Sequence, residues 1–191
     1  MFEGPDGCGK STLSTAFAVH LQAKGIETEH YSFPGRESGT LGRLVYSLHH
    51  EPLEQGVQVL TPTSLQLLHI AAHIDVIESK IFPAIRAGRT VVLDRYWWST
   101  WVYGKVNGIP VTTLEAMLHV ERLVWAGLRP SRVFLIRRRS NLVRKPVKNY
   151  ERLSAEYANL AQRQASETDV KYIDNEGSVA ETMRYLITQY A

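Results

Sequence analysis

Eight residues near the start constrain this chain more than any others. Gly4-Pro5-Asp6-Gly7-Cys8-Gly9-Lys10-Ser11 fits the pattern Gly-x-x-x-x-Gly-Lys-Ser/Thr, which cradles phosphates when it joins a strand to a helix. Its glycines let the loop curl until successive N–H groups point inward. The helix that follows adds the positive end of its dipole. Lys10 is then placed to reach the β- and γ-phosphates, and the Ser11 hydroxyl to ligate Mg²⁺. The residues downstream agree. Leu13, Ala16, Phe17 and Leu21 recur at helical spacing, and Gly25 closes that helix. Upstream only Met1, Phe2 and Glu3 precede the loop, so the first strand is expected to be cut short of the usual length of about five residues.

Size and charge narrow the class. A chain of 191 residues suits one domain, and 44% hydrophobic residues give it a core. A net charge of +3 and a pI near 9.0 suit a phosphorylated small molecule without demanding nucleic acid. No apolar run approaches membrane-spanning length, and no signal peptide is legible, so neither a membrane nor a nucleic acid is an expected partner. One cysteine, Cys8, cannot form an internal disulfide, which points to the cytoplasm. Inside the loop it is expected to act as a small packing residue rather than a nucleophile.

Strand and helix signals alternate along the chain. Strands are expected at 26–33, 90–93, 133–136 and 170–173. Helices are expected at 41–50 and from Thr61-Pro62-Thr63 to about Lys80, with Pro83 kinking the second one or beginning a new turn. Further helices are expected from a Thr112-x-x-Glu115 capping box to Gly127 and after a Ser178-x-x-Glu181 box, and Ser154 to Glu167 is expected to lie in another. Repeated β-α units imply a parallel sheet covered by helices on both faces, with ligands at the carboxyl ends of the strands. The loop, Phe33-Pro34, Asp94-Arg95, Arg137 and Asp174 all fall at those ends. Asp94 is sited there to hold Mg²⁺ beside Ser11, and Arg95 to grip an anion through its planar fork.

Together these residues resemble the thymidylate kinase family of nucleoside monophosphate kinases, over nearly the whole chain. Phe2-Glu3-Gly4-Pro5-Asp6-Gly7-Cys8-Gly9-Lys10-Ser11-Thr12 looks like that family's opening. Phe33-Pro34-Gly35-Arg36 resembles its Phe-Pro-x-Arg loop, and Asp94-Arg95-Tyr96-x-x-Ser99, followed by Tyr103, its Asp-Arg-Tyr-x-x-Ser signature. Tyr157-x-x-Leu160-Ala161 resembles the helix after its lid. The resemblance implies a single P-loop NTPase domain over 1–191, with α/β/α layers and strand order 2-3-1-4-5. It implies transfer of the γ-phosphoryl of Mg-ATP to a monophosphate, with dTMP the first choice. Loop residues 4–12 would hold ATP, and Ser11 and Asp94 the metal. Asp6 would meet the sugar 3′-hydroxyl, Tyr103 would lie under the sugar, and Arg36 and Arg95 would place the acceptor phosphate, beside Phe33 and Ser99. A homodimer through the long helices is implied as well.

The basic run Arg137-Arg138-Arg139, with Arg144, Lys145 and Lys148, falls on the family's lid, about 137–149. Charge on the transferred phosphoryl must be neutralised in a site that excludes water. The loop itself carries no arginine, and family members of that type supply one from the lid, so Arg139 and Arg144 join Lys10 and Arg95 as catalytic candidates. Trp97, Trp98, Trp101 and Tyr103 are expected to pack helices or wall a base pocket rather than stack single-stranded nucleic acid.

Three departures gather at the acceptor. Where the family carries Leu-Leu-Phe on the long helix, this chain has Leu67-Leu68-His69. The acceptor-gripping arginine one turn on is His73, and the Tyr-Gln pair is Tyr103-Gly104. His69 and His73 share a helical face and stand as acceptor-binding candidates. A metal pair would lack a third ligand. Two rivals follow from these departures. A deoxynucleoside kinase needs no phosphate clamp, and a degenerate paralogue would bind nucleotide without turnover.

Overall fold

The structure, a computed structural model, describes residues 1–190. Its five parallel strands are β1 (Phe2–Glu3), β2 (Thr28–Ser32), β3 (Thr90–Asp94), β4 (Val133–Arg137) and β5 (Val170–Asp174), in the order β2-β3-β1-β4-β5. That is the expected sheet. β1 is short, yet it is pinned on both sides. Phe2 pairs with Asp94 and Phe134, and Glu3 with Leu135. Arg95 N–H donates to Phe2 O at 2.9 Å, and Phe134 N–H to Met1 O at 2.8 Å. Two paired residues therefore hold the loop at the carboxyl edge of the sheet, where β3 ends in Asp94 and β5 in Asp174.

Both faces of the sheet are covered, as strands buried on both sides require. Alternation along β4 divides the core. Phe134 and Ile136 face α1 (Lys10–Ala23) and α8 (Val179–Tyr190), while Val133 and Leu135 face the opposite layer. On the first face the rings of Phe2, Phe17 and Phe134 lie 5.1–5.7 Å apart. Truncating one such ring to Ala costs about 3–5 kcal/mol. The second face packs α3 (Pro62–Val76), α5 (Trp97–Val106), α6 (Val111–Val124) and α7 (Tyr150–Gln164). Trp97, Trp98 and Trp101 are all buried there. They pack helices, and Tyr103 alone of that cluster lines a cavity, of about 260 Å³, beside the phosphate loop.

Local chemistry sets the boundaries, in places against expectation. β2 begins only at Thr28, because Ile26 N–H still caps α1 through Leu21 O, and Phe33 lies past its end. Thr40 caps α2 (Leu41–His50) and Thr61 caps α3, each accepting the N–H three residues on. Pro83 begins a new turn, in the first turn of a further helix. A π-turn at Ile77–Ile81 widens the backbone ahead of α4 (Phe82–Arg86), giving room to a residue with no N–H to donate. The Thr112–Glu115 capping box does not form. Pro110 is the N-cap of α6, which puts Thr112 inside the first turn. α7 opens at Tyr150, after Asn149 in the left-handed region, and takes in Ser154 as expected, but it ends at Gln164, short of Glu167. The second box does form: Ser178 N–H and Oγ–H donate to Glu181 Oε2, and Glu181 N–H returns to Ser178 Oγ. Among the described residues no helix is long and apolar enough to cross a membrane.

Candidate active site

The phosphate loop owes its shape to backbone angles that side chains rarely adopt. Gly4 and Gly9 have φ of +140° and +100°. A Cβ on Gly4 would lie 2.4 Å from the Ile136 carbonyl, and one on Gly9 2.2 Å from Asn175 Nδ2. Asn175 is a clamp that sequence reasoning missed. It is buried just beyond β5, donates from Nδ2 to Cys8 O at 2.8 Å, and accepts from Thr182 Oγ at 3.0 Å. A lone buried amide after a strand end was the available signal. Lys10 folds across the loop, its Nζ donating to Pro5 O at 2.7 Å. Cys8 is fully buried and burial pushes its thiol up, so it packs rather than reacts.

Ser11, at the exposed start of α1, donates to Asp94 Oδ2 at 2.5 Å. Asp94 Oδ1 is buried and has no partner among the described residues. An orphaned carboxylate oxygen beside a hydroxyl fits a hard divalent cation such as Mg²⁺, which takes oxygen ligands.

Arg95 stands beside this pair, on the acceptor side. Its φ of +78° turns the side chain back over the loop. One guanidinium nitrogen donates to Ser99 Oγ at 2.9 Å and another pairs with Asp6 Oδ1. Tyr103 closes the triangle, its hydroxyl donating to Asp6 Oδ2 at 2.8 Å and accepting from Asp6 N–H at 2.9 Å. Burial opposes the charge on both partners, but mutual attraction outweighs it. Arg95 is held well above its usual range, while Asp6 is held below the ordinary carboxylate value by Arg95, Lys10 and Tyr103. Under them lies Glu3, fully buried and also missed by sequence reasoning. Its carboxylate accepts from Tyr96 N–H at 2.7 Å, Ser99 N–H at 3.1 Å and Ser99 Oγ at 2.7 Å. Burial nevertheless pushes its pKa up. Glu3 thus anchors the N-terminus of α5 and, through Ser99, the fork of Arg95. A carboxylate inside an apolar strand was the signal.

A cavity of about 260 Å³ opens beside Arg95. The structure brings Asp6, Phe33, Arg36, His69, His73, Arg95, Ser99 and Tyr103 to its wall, as the sequence led one to expect, and adds Gln66, His49 and His50. Arg36 lies 4.6 Å over the ring of Tyr46. His69 Nε2 is 3.3 Å from His49 Nδ1, and burial, then the charges of His73, His49 and Arg95, push its pKa down to about 3. His73 is buried, stacks on Phe33 at 4.2 Å and meets Glu121 at 3.3 Å. Among the described residues no three His, Cys, Asp or Glu side chains are grouped to hold a metal.

The lid borders a second cavity, of about 400 Å³, walled by Pro5, Arg137, Arg138, Arg139, Glu151 and Glu176 among others. Arg137 pairs with both carboxylate oxygens of Asp174 at 2.8 Å, and Arg139 with Glu176 at 2.7 Å. Arg144 is exposed. The lid rests on the phosphate loop: a Cβ on Gly7 would lie 2.5 Å from the Val143 side chain.

Comparison with known proteins finds a matching family. Its profile, described as thymidylate kinase, matches residues 2–183. A thymidylate kinase of Caldanaerobacter subterraneus subsp. tengcongensis is 32% identical over 130 residues, covering 68% of this chain and 58% of its own. That match spans less than two thirds of the relative's length. A thymidylate kinase of Symbiobacterium thermophilum is 29% identical over 198 residues, covering 96% of this chain and 87% of the relative. In fold, the chain is similar to the crystal structure of thymidylate kinase from Ehrlichia chaffeensis, with a TM-score of 0.79 at 20% identity, covering 100% of this chain and 96% of that one.

Proposed function

We infer the function from one premise: the chain belongs to the thymidylate kinase family. On that premise it transfers the γ-phosphoryl of ATP to a nucleoside monophosphate, dTMP before others, giving ADP and the diphosphate. The observation that carries this is the Arg95–Asp6–Tyr103 cluster, which ties an anion-gripping guanidinium directly to the phosphate loop.

Each residue then has work to do. The amides of the loop bind the triphosphate, and the buried ammonium of Lys10 leaves Pro5 O to follow charge on the β- and γ-phosphates. Ser11 and Asp94 would hold Mg²⁺, which supplies charge neutralisation across the phosphates when bound. Arg95 and Arg36 place the acceptor phosphate in line, and Asp6 and Tyr103 meet its sugar. Closure of the lid brings Arg139 or Arg144 toward the transferred group and excludes water. The exposed apolar side chains Leu67 on α3, and Val120 and Leu123 on α6, support a homodimer through these helices. A cytoplasmic home is in keeping with the single buried cysteine.

Arg36 and Arg95 speak against a deoxynucleoside kinase, which has no acceptor phosphate to grip: both guanidinium groups line the same cavity. The deciding experiment is a coupled ATPase assay over dTMP, dUMP, dCMP, dGMP and thymidine. Turnover of a monophosphate and not of thymidine is expected. Phosphorylation of thymidine alone, or ATP binding without any turnover, would overturn the proposal.

A further inference from the structure

Behind the turn that carries Arg95 lies a further cavity of about 260 Å³, which shares no wall residue with the acceptor cavity or the lid cavity. Its floor is aromatic. Tyr96, Trp97, Trp98 and Trp125 line it, none more than 6% exposed. Tyr96 meets Trp125 edge-on at 5.2 Å, and Trp97 meets Trp98 edge-on at 6.3 Å. Its mouth is cationic. Arg122 lies 4.7 Å over the ring of Trp97 and forms no ion pair among the described residues. A guanidinium stacked by its face on an indole keeps its N–H edge free for an acceptor. Arg129 borders the same space and pairs with Glu167 at 3.1 Å. Two guanidinium groups against one carboxylate leave this wall with one positive charge. Burial pushes the Tyr96 hydroxyl up to about 12, so it stays protonated and able to donate near neutrality. Gln164, at the end of α7, adds an amide.

These features select a ligand class. The volume falls just below the range of about 300–1,000 Å³ typical of drug-sized ligands, so it suits one ring with a short acidic arm rather than a nucleotide. One acid group balances the charge of the wall, and the planar fork of Arg122 matches a carboxylate through two parallel bonds. A phosphate monoester approaches two negative charges at neutral pH and would leave one of them uncompensated. We propose that this cavity binds a small aromatic monocarboxylate, its ring on the aromatic floor and its carboxylate on Arg122 at the mouth. A dimer built on α6 leaves the mouth open, because Arg122 is two residues from the exposed Val120 and so faces away from it. The occupant would bear on Tyr96, which follows Arg95 directly and whose N–H donates to Glu3 at 2.7 Å.

The chain's four tryptophans provide the readout, since Trp97, Trp98 and Trp125 line this cavity and Trp101 does not. Benzoate is titrated while the indole N–H signals are followed by proton–nitrogen NMR, with ADP and dTMP in excess to fill the other anion sites. The Trp97 signal should move and saturate with a Kd of about 1 mM, ordinary for one ring and one charge, while the Trp101 signal stays in place. Benzamide has the same shape without the charge and should bind about tenfold more weakly. Arg122→Gln should weaken benzoate by about the same factor. Arg122 is exposed, so this replacement leaves the core intact, which an unmoved Trp101 signal checks. The inference is overturned by no saturable movement up to about 20 mM benzoate. Equal binding of benzamide, or benzoate binding unchanged in Arg122→Gln, would overturn it as well. Each of these results leaves the kinase reading standing, because the cavity holds none of the residues assigned to nucleotides.

Discussion

The two halves of this site are built from different material. The phosphate-loop half is eight consecutive residues whose working atoms are mostly backbone N–H groups, held by glycine angles and by Asn175 beneath. The acceptor half is assembled from side chains on the β2–α2 loop, α2, α3 and α5, with Asp6 and Arg95. A backbone-built site is fixed by what its glycines allow, because a Cβ at Gly4 or Gly9 has nowhere to go. A side-chain-built site can keep its geometry while its chemistry is rewritten, because α3 holds positions 69 and 73 toward the cavity whichever side chains they carry.

The contrast is broken most directly by Lys10→Ala. If the loop half carries the transfer, turnover with dTMP should fall about a thousandfold in a coupled assay. Unchanged turnover would remove Lys10 from the mechanism. Asp94→Asn is the next largest. Turnover should fall about a hundredfold and the Mg²⁺ requirement rise, because the amide offers the cation less charge. Its denaturation midpoint should move little, since Asp94 Oδ1 has no partner to lose among the described residues. Equal loss of stability and turnover would instead make Asp94 a structural residue. Arg95→Lys tests the join between the halves. A lysine cannot reach Ser99 Oγ and Asp6 at once, so KM for the monophosphate should rise about tenfold while KM for ATP stays nearly level.

The same contrast explains what the sequence made legible. The loop, the sheet order and the Asp94–Ser11 pair are local patterns, or follow from the resemblance they carry, and they are found as expected. Glu3, Glu121 and Asn175 were missed because each acts across the fold, on residues 96, 73 and 8 respectively. Each left a trace that composition hides: a polar residue where burial is due. Glu121 continues the buried stripe Leu114, Met117, Leu118 on α6, at i+3 from the last, and an acid on such a stripe needs a partner. The Thr112–Glu115 pattern failed for the opposite reason. Pro110 ends the preceding segment and starts the helix early, so a local motif lost to a stronger neighbour.

His69→Phe carries the smallest effect and sharpens the acceptor half alone. His69 is the family's phenylalanine position, and burial with neighbouring cationic groups holds its folded pKa at about 3, against an ordinary 6.5. The unfolded chain therefore binds a proton below pH 6.5 that the folded chain refuses. Stability is fully present above 6.5 and drains away as pH falls from there toward 3, with a limiting slope of about 1.4 kcal/mol per pH unit. The partial exposure of His69 discounts this to about 1 kcal/mol lost by pH 5. Phenylalanine removes the drain, while His30, which does not touch residue 69, titrates alike in both proteins and cancels. Urea unfolding at pH 7 and pH 5 should show the stability gap between the two pH values narrowed by about that amount in His69→Phe. An unchanged gap would mean that His69 takes up its proton in the folded protein, and the acceptor wall would then be cationic near neutrality rather than polar and uncharged at that point.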